Sequence, residues 1–322
     1  MKRIQRKADL HATRTPADPQ DLGLGTKVAQ ESRERFLNKD GTFSAHRKGL
    51  GFFQSLSLYH WLLTMSWTKF ILLIVAFYFV INSVFAYGYY LCGPEAFEGV
   101  RDINDQSWFL QAFFFSVQTV ATIGYGRINP VSFTSNILVT IDSLVGLLGI
   151  ALITGILFAR FSRPSAKVLF SRNAVVAPYR GITALEFRIA NQRSNQLIDV
   201  QVTVTLSRFE EEDGKRVRKF HLLKLERKSV VFFPLTWTIV HPIEESSPLN
   251  GVTRETLNAS DAELLVLITA IDETFSQTVH ARSSYKDHEV IWGARFGSMF
   301  STIGGNVSVN LHLIHNIEMV IP

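Results

Sequence analysis

The sequence predicts an α-helical membrane domain followed by an all-β sandwich, and three observations predict it. No formal charge occurs from Phe70 to Leu91, and only Asp142 interrupts Ser135 to Ala159, so each stretch is long enough to cross a hydrocarbon core. Beyond Arg160 the apolar residues alternate with polar ones, the period of half-buried strands. Between the two apolar stretches lies Thr122-Ile123-Gly124-Tyr125-Gly126, a glycine-bearing run that an ordinary turn would not need in this position.

Taken in order, residues 1–48 are polar and basic with little apolar periodicity, and read as a flexible cytoplasmic arm. Residues 49–66 are aromatic and amphipathic but too short to span, which predicts a helix lying in the interface, with His60, Trp61 and Trp67 at headgroup level. The competing reading is a frayed start of the first span. Residues 67–160 form the membrane domain. Its first span ends in the aromatic band Tyr87 to Tyr90, and the loop after it carries Glu95, Glu98, Asp102 and Asp105. Trp108 to Thr119 is apolar and helical in length yet cannot cross, so it predicts a half-helix directing the partial negative charge of its carboxyl end toward the bilayer centre.

The second span holds Gly146, Gly149 and Gly155, which suit close helix packing or bending. It also holds Asp142. A carboxylate in a bilayer is costly and faces a partner or a water-filled space, and the expectation is that Asp142 lines a cavity and attracts cations. Phe158, at the far end, fits either a constriction between converging helices or a lipid-facing position. Residues 161–322 carry the strand signals: Ala184 to Ile189, Leu197 to Leu206, Val230 to Val240, Glu263 to Thr269 and Val307 to Leu311, with Glu210 to Lys215 as a hairpin tip.

Charge placement orients the chain. The 322 residues carry a net charge of +5. Lysines and arginines cluster from Lys2 to Lys69 and again at Arg160, Arg163, Lys167 and Arg172, whereas only Arg101 and Arg127 lie between the spans. The positive-inside rule then puts both termini in the cytoplasm and the glycine-bearing loop near the outer face. The basic arm lacks an aromatic stacking pattern, so nucleic acid is not an expected partner. Cys92 is the only cysteine, which excludes an intrachain disulfide and a zinc knuckle. No nucleophile–base spacing, phosphate loop or metal pattern stands out, and neither an enzyme nor a cofactor is expected.

The central run has a specific chemical use. In a potassium-selectivity filter the backbone carbonyls of successive residues, here Thr122, Ile123, Gly124 and Tyr125, replace the hydration shell of K+. Gly124 and Gly126 reach backbone angles that other residues avoid, Thr122 adds a hydroxyl at the inner end, and Tyr125 is expected to pack outward and hold the loop open.

From about Ser57 onward the chain resembles the inward-rectifier potassium channels, most closely their prokaryotic branch. Ser116 to Gly126 (SVQTVATIGYG), Phe158 to Pro164 (FARFSRP), His241 to Pro248 (HPIEESSP), Ala281 to Tyr285 (ARSSY) and Glu289 to Gly293 (EVIWG) carry the resemblance. It implies a homotetramer with four filter loops around one axis and an immunoglobulin-like cytoplasmic domain prolonging the pore. It implies Phe158 as the helix-bundle gate, Ile150 as an apolar constriction above it, and Asp199 and Glu273 as acidic residues of the cytoplasmic pore. The turn from Thr274 to Gln277 resembles the loop at the apex of that vestibule. The resemblance further implies anionic or phosphoinositide lipid headgroups at Arg160, Arg163 and Lys167, and intracellular Mg2+ and polyamines as blockers. The chain departs from animal members at Ile150, where strong rectifiers carry an acid, at Gln118, where they carry a pore-helix glutamate, and at Ser66, where they carry an arginine.

The expectation is therefore a potassium-selective, inwardly rectifying channel of a bacterial inner membrane. Two rivals accompany it: a non-selective cation channel on the same scaffold, and a pore-less, membrane-anchored β-sandwich with a sensory or binding role.

Overall fold

Each apolar stretch is one continuous helix in the computed structural model, which describes residues 35–44, 57–101, 106–163, 166–193, 195–233, 235–303 and 306–320. These residues divide into two compact units. The first contains α1 (Leu58–Thr64), α2 (Trp67–Cys92), β1 (Phe97–Glu98), α3 (Trp108–Val120), β2 (Asn129–Pro130) and α4 (Phe133–Phe161). At about 1.5 Å per residue α2 and α4 exceed the roughly 30 Å of a hydrocarbon core. They are not core helices of a soluble protein, because only 22% and 11% of their most apolar windows are buried within the chain. Serine side chains start three of the helices: Ser57, Ser107 and Ser132 accept from the N–H groups of His60, Leu110 and Ser135.

The inside of this unit is aromatic. Tyr89 of α2 meets Phe97 and Phe115 edge to face at 5.5 and 5.2 Å between centroids, and Trp108 closes the cluster against Phe97. On its other side α3 lies against α4 at a glycine. A Cβ built on Gly146 would stand 2.6 Å from the Val120 carbonyl oxygen and 2.8 Å from its Cα, so no other residue fits without moving backbone. Of the two uses expected for the second-span glycines, Gly146 serves packing, while a Cβ at Gly149 or Gly155 meets nothing within 4 Å.

The second unit is a sandwich. One sheet runs β11 (Gln277–Lys286), β10 (Glu263–Asp272), β6 (Leu197–Glu212), β7 (Lys215–Leu222), with β8 (Ser229–Phe233) also on β6. The other runs β12 (Val290–Trp292), β4 (Ala174–Tyr179), β5 (Ile182–Asn191), β3 (Val168–Phe170), with β9 (Thr236–Pro242) on β5. Alternate residues Val200, Val202, Val204 and Leu206 of β6 face Phe187 and Ile189 of β5 in one core. Each such side chain contributes about 1.5–3 kcal/mol when fully buried. Asp213 and Gly214, at φ +53° and +72°, turn β6 into β7 at the expected hairpin tip.

Residues 35–44 correct the reading of residues 1–48 as a flexible arm, for they dock on this second unit. Phe36 and Leu37 are buried, and their N–H groups donate to the two carboxylate oxygens of Glu263 at 3.0 and 3.2 Å. Arg35 donates to Ser284 O and Glu289 Oε2 at 2.7 and 2.6 Å, and Lys39 pairs with Glu289 at 3.0 Å. Phe36 also lies against the guanidinium of Arg218, 4.9 Å from its ring centre. Two bases and an apolar pair that read as a solvated tail are thus matched to acidic partners more than 200 positions away in the chain. The rest of the expected arm, residues 1–34 and 45–48, and residues 49–56 of the expected interfacial helix lie outside the described residues; α1 covers the later part of that helix.

Two predictions follow from this packing. Burial raises the Glu289 carboxyl, but hydrogen bonds from Arg35, from the Lys286 N–H and from Lys39 outweigh it and hold the group below the ordinary 4.5. A lowered carboxyl stabilises the docked state above 4.5 and loses that contribution as pH falls through the lowered value. Protection of the Phe36 and Leu37 amides, taken relative to the intrinsic exchange rate at each pH, should therefore be high at neutral pH and fall on acidification. Glu289→Gln should weaken docking by about 1–3 kcal/mol at pH 7 and flatten that pH dependence. In the first unit, Gly146→Val should abolish assembled, conducting protein, whereas Gly149→Ala should assemble and conduct; detergent-stable oligomer and cation flux report both.

Candidate functional site

The loop from Thr122 to Gly126 leaves the carboxyl end of α3 with an uncommon backbone. Thr122, Gly124 and Gly126 have φ of +55°, +57° and +75°, while Ile123 and Tyr125 between them keep negative φ. Alternating left- and right-handed residues turn successive carbonyls to one side of the chain, where an extended strand would alternate them. For Thr122 that angle is uncommon in a β-branched residue, so the surrounding structure must hold it.

The hold comes from α3. Ile123 and Gly124 donate their N–H groups to Gln118 O at 2.8 and 3.4 Å, and Thr122 donates to Thr119 O at 3.0 Å. At the other end Asn129 Nδ2 donates to Gly126 O at 3.1 Å. Among the described residues nothing donates to the carbonyls of Thr122, Ile123, Gly124 or Tyr125. The N–H groups are drawn back to the helix and four consecutive acceptors are left unclaimed, a geometry suited to a desolvated cation. The chain alone does not close this site: Ile123 is 48% and Tyr125 76% exposed, so Tyr125 has no wall of its own chain to pack against.

Asp142 is not where the sequence put it. It is fully buried within its own chain, and assembly with further copies removes surface rather than exposing it. Its Oδ2 accepts from the Tyr89 hydroxyl at 2.7 Å, in the space between α2, α3 and α4. The reading of Asp142 as a cavity-lining cation attractor is corrected accordingly: the carboxylate lies inside the unit and is partnered by a tyrosine of α2. Ile150 and Phe158, by contrast, stand out from α4 at 49% and 73% exposure.

Arg160 is also otherwise engaged. Its guanidinium donates to the carbonyls of Leu62 and Met65, the latter at 2.7 Å, and stacks over Trp67 and Phe70 at 4.7 and 4.5 Å. Its donors satisfy the exposed carbonyls at the end of α1, so Arg160 ties α1 to α4. Arg163 and Lys167 are exposed.

In the second unit Asp199 and Glu273 are brought to the same end of one sheet. Asp199 sits in a bulge of β6, with φ +48°, where the pairing to β10 slips between Thr269 and Ile271. An aspartate tolerates that angle, and a bulge turns its side chain out of the alternation. Glu273 follows directly on β10 and donates its N–H to Gln196 O at 3.2 Å. Both are exposed. The buried Asp272 organises this end, accepting from Asn195 at 2.7 Å and from the Thr274 N–H at 2.9 Å. Sequence reasoning missed Asp272 and Asn129, and it placed Tyr89 in an aromatic band at the end of the span, where the structure buries it inside the unit. Only Asn129 carried a local signal, as a turn-forming type directly before a proline.

The inward rectifier potassium channel C-terminal domain family matches residues 168–321, and the ion channel family matches residues 74–163. Inward rectifier potassium channel Kirbac3.1 of Paramagnetospirillum magnetotacticum is 43% identical over 290 residues, which are 88% of this chain and 96% of that protein. Inward rectifier potassium channel 18 of Homo sapiens is 32% identical over 58% of this chain and 46% of its own length. G protein-activated inward rectifier potassium channel 4 of Bos taurus is 26% identical over 89% and 73%. A pore-less anchored sandwich has no place beside these relatives, nor does an enzyme. Two membrane-length helices flanking a loop of free carbonyls, a β-sandwich after them, and relatedness along nearly the whole chain make this protein a member of the inward rectifier potassium channel family.

Proposed function

We propose that the chain is one subunit of a homotetrameric, potassium-selective inward rectifier in a bacterial inner membrane, with both termini in the cytoplasm. The observation that carries this reading is the set of unclaimed carbonyls from Thr122 to Tyr125, held in alternating backbone angles by N–H groups tied to α3. Four copies around one axis place four such rows face to face and give Tyr125 and Ile123 neighbours to pack against. K+ then exchanges hydration water for carbonyl oxygens and moves on by repulsion from the next ion. Lys and Arg placement on either side of the spans supports the orientation.

In this reading Ile150 and Phe158 narrow the path where the α4 helices converge. Asp199 and Glu273 supply the negative field that draws intracellular Mg2+ or polyamines, the blockers that make conduction rectify. Arg163 and Lys167 meet anionic lipid, phosphoinositides included, with about 1 kcal/mol per base near a charged leaflet. Arg160 contributes indirectly, by fixing α1 to α4.

Rubidium uptake into proteoliposomes tests the central point. External potassium should compete with it and sodium should not; equal competition by the two ions defeats the selective reading. Phe158→Ala should raise basal uptake severalfold with competition unchanged, and an unaltered basal rate removes Phe158 as the gate.

A further inference from the structure

Behind the filter, four polar side chains from three helices meet in otherwise apolar surroundings. Asn82 and Tyr89 come from α2, Ser116 from α3 and Asp142 from α4, and all four are buried. The Tyr89 hydroxyl donates to Asp142 Oδ2 at 2.7 Å, and Ser116 Oγ donates to Asn82 Oδ1 at 3.1 Å. The Ser116 hydroxyl also lies within interaction range of the Asp142 carboxylate, whose Oδ1 has no hydrogen-bond partner among the described residues.

The spacing of these contacts is what matters. Asp142 and Gly146 are one turn apart on α4, and Ser116 and Val120 are one turn apart on α3. Asp142 stands by Ser116, and Gly146 stands against the Val120 backbone. Val120 is two residues from Thr122. A slip of α4 by a single residue, about 1.5 Å, would break the Tyr89 bond and bring a side chain against Val120. Tyr89 is itself clamped between the rings of Phe97 and Phe115, so its hydroxyl is a fixed point.

We propose that Asp142 is a positioning residue for ion selectivity. Through the Tyr89 hydroxyl it locks α4 in register with α3 and so fixes the base from which the Thr122–Gly126 carbonyls hang. The inference rests on the reading of that loop as the filter. It gives Asp142 no role in the ion path.

The test uses the full chain in proteoliposomes with three variants: Asp142→Leu, of similar size but without an acceptor; Asp142→Asn, which keeps an acceptor for Tyr89; and Tyr89→Phe, which removes only the hydroxyl. Rubidium uptake with potassium or sodium as competitor reads selectivity, and internal Mg2+ reads block. Asp142→Leu and Tyr89→Phe should each lose about tenfold in discrimination against sodium, the effect of one strong buried hydrogen bond, and Asp142→Asn should recover most of it. Block by Mg2+ should be unchanged in every conducting variant. Where Asp142→Leu fails to assemble, Tyr89→Phe decides: wild-type discrimination in it, even with lower thermal stability, overturns the proposal by leaving a structural role alone. A severalfold change in block on Asp142→Asn overturns it too, by returning the carboxylate to the ion path. Failure of the unmodified protein to distinguish potassium from sodium would instead defeat the filter reading and this proposal with it.

Discussion

The membrane unit depends on one close backbone approach, α4 at Gly146 against the last turn of α3 at Val120. Only a residue without Cβ allows it. The approach anchors the carboxyl end of α3, and that end in turn takes up the N–H groups of Thr122, Ile123 and Gly124 through Thr119 O and Gln118 O. Donors and acceptors of the loop are thereby sorted: the donors point back into protein, and the acceptors remain for whatever occupies the other side. A loop that met its own backbone needs internally, as a hairpin does, would have no carbonyls left to offer a cation.

Arginines in both units do related work. Arg160 caps the carbonyls of Leu62 and Met65 while its plane rests on Trp67 and Phe70, and Arg35 combines the Ser284 carbonyl with the Glu289 carboxylate. A planar fork with several donors suits this task, and a lysine ammonium would not reproduce it. Counting positive charges near a membrane end therefore overstates how many are available to lipid, since a base partly enclosed by its own chain has already exchanged water for protein acceptors.

Much of this was legible in the sequence. The spans follow from uncharged length, the sandwich from alternation in β6 and β10, the hairpin from Asp213-Gly214, and the left-handed angles of the loop after α3 from its glycines. The place of Asp142 was also within reach. At about 100° per helical residue, Asp142 and Phe158 are sixteen positions and about 160° apart, so a straight helix cannot point both at one axis. Other features left no sequence trace. The partners of Arg160 are main-chain carbonyls, which every residue has, and docking of Phe36 and Leu37 depends on Glu263, which the linear text places among strand residues. The bulge at Asp199 is a slip in pairing between two strands, which neither strand shows alone.

Removing Asp142 from the ion path changes where a cation would find negative charge. From Phe133 to Arg163 it is the sole carboxylate, so on the proposed reading the path below the filter is lined by uncharged side chains. Glu95 and Glu98 are exposed but lie on the loop before α3, which is external on the proposed orientation. The partial charge at the end of α3 acts only within about a turn, and the filter's own N–H groups take up part of it. On the proposed reading the cytoplasmic side offers an exposed pair at one end of a sheet, Asp199 in its bulge and Glu273 on the adjoining turn. Fourfold repetition would make that pair a ring of eight carboxylates, enough to concentrate multivalent cations without any charge in the bilayer. On that reading rectification belongs to the sandwich and selectivity to the helices, with Asp142 proposed to serve the second.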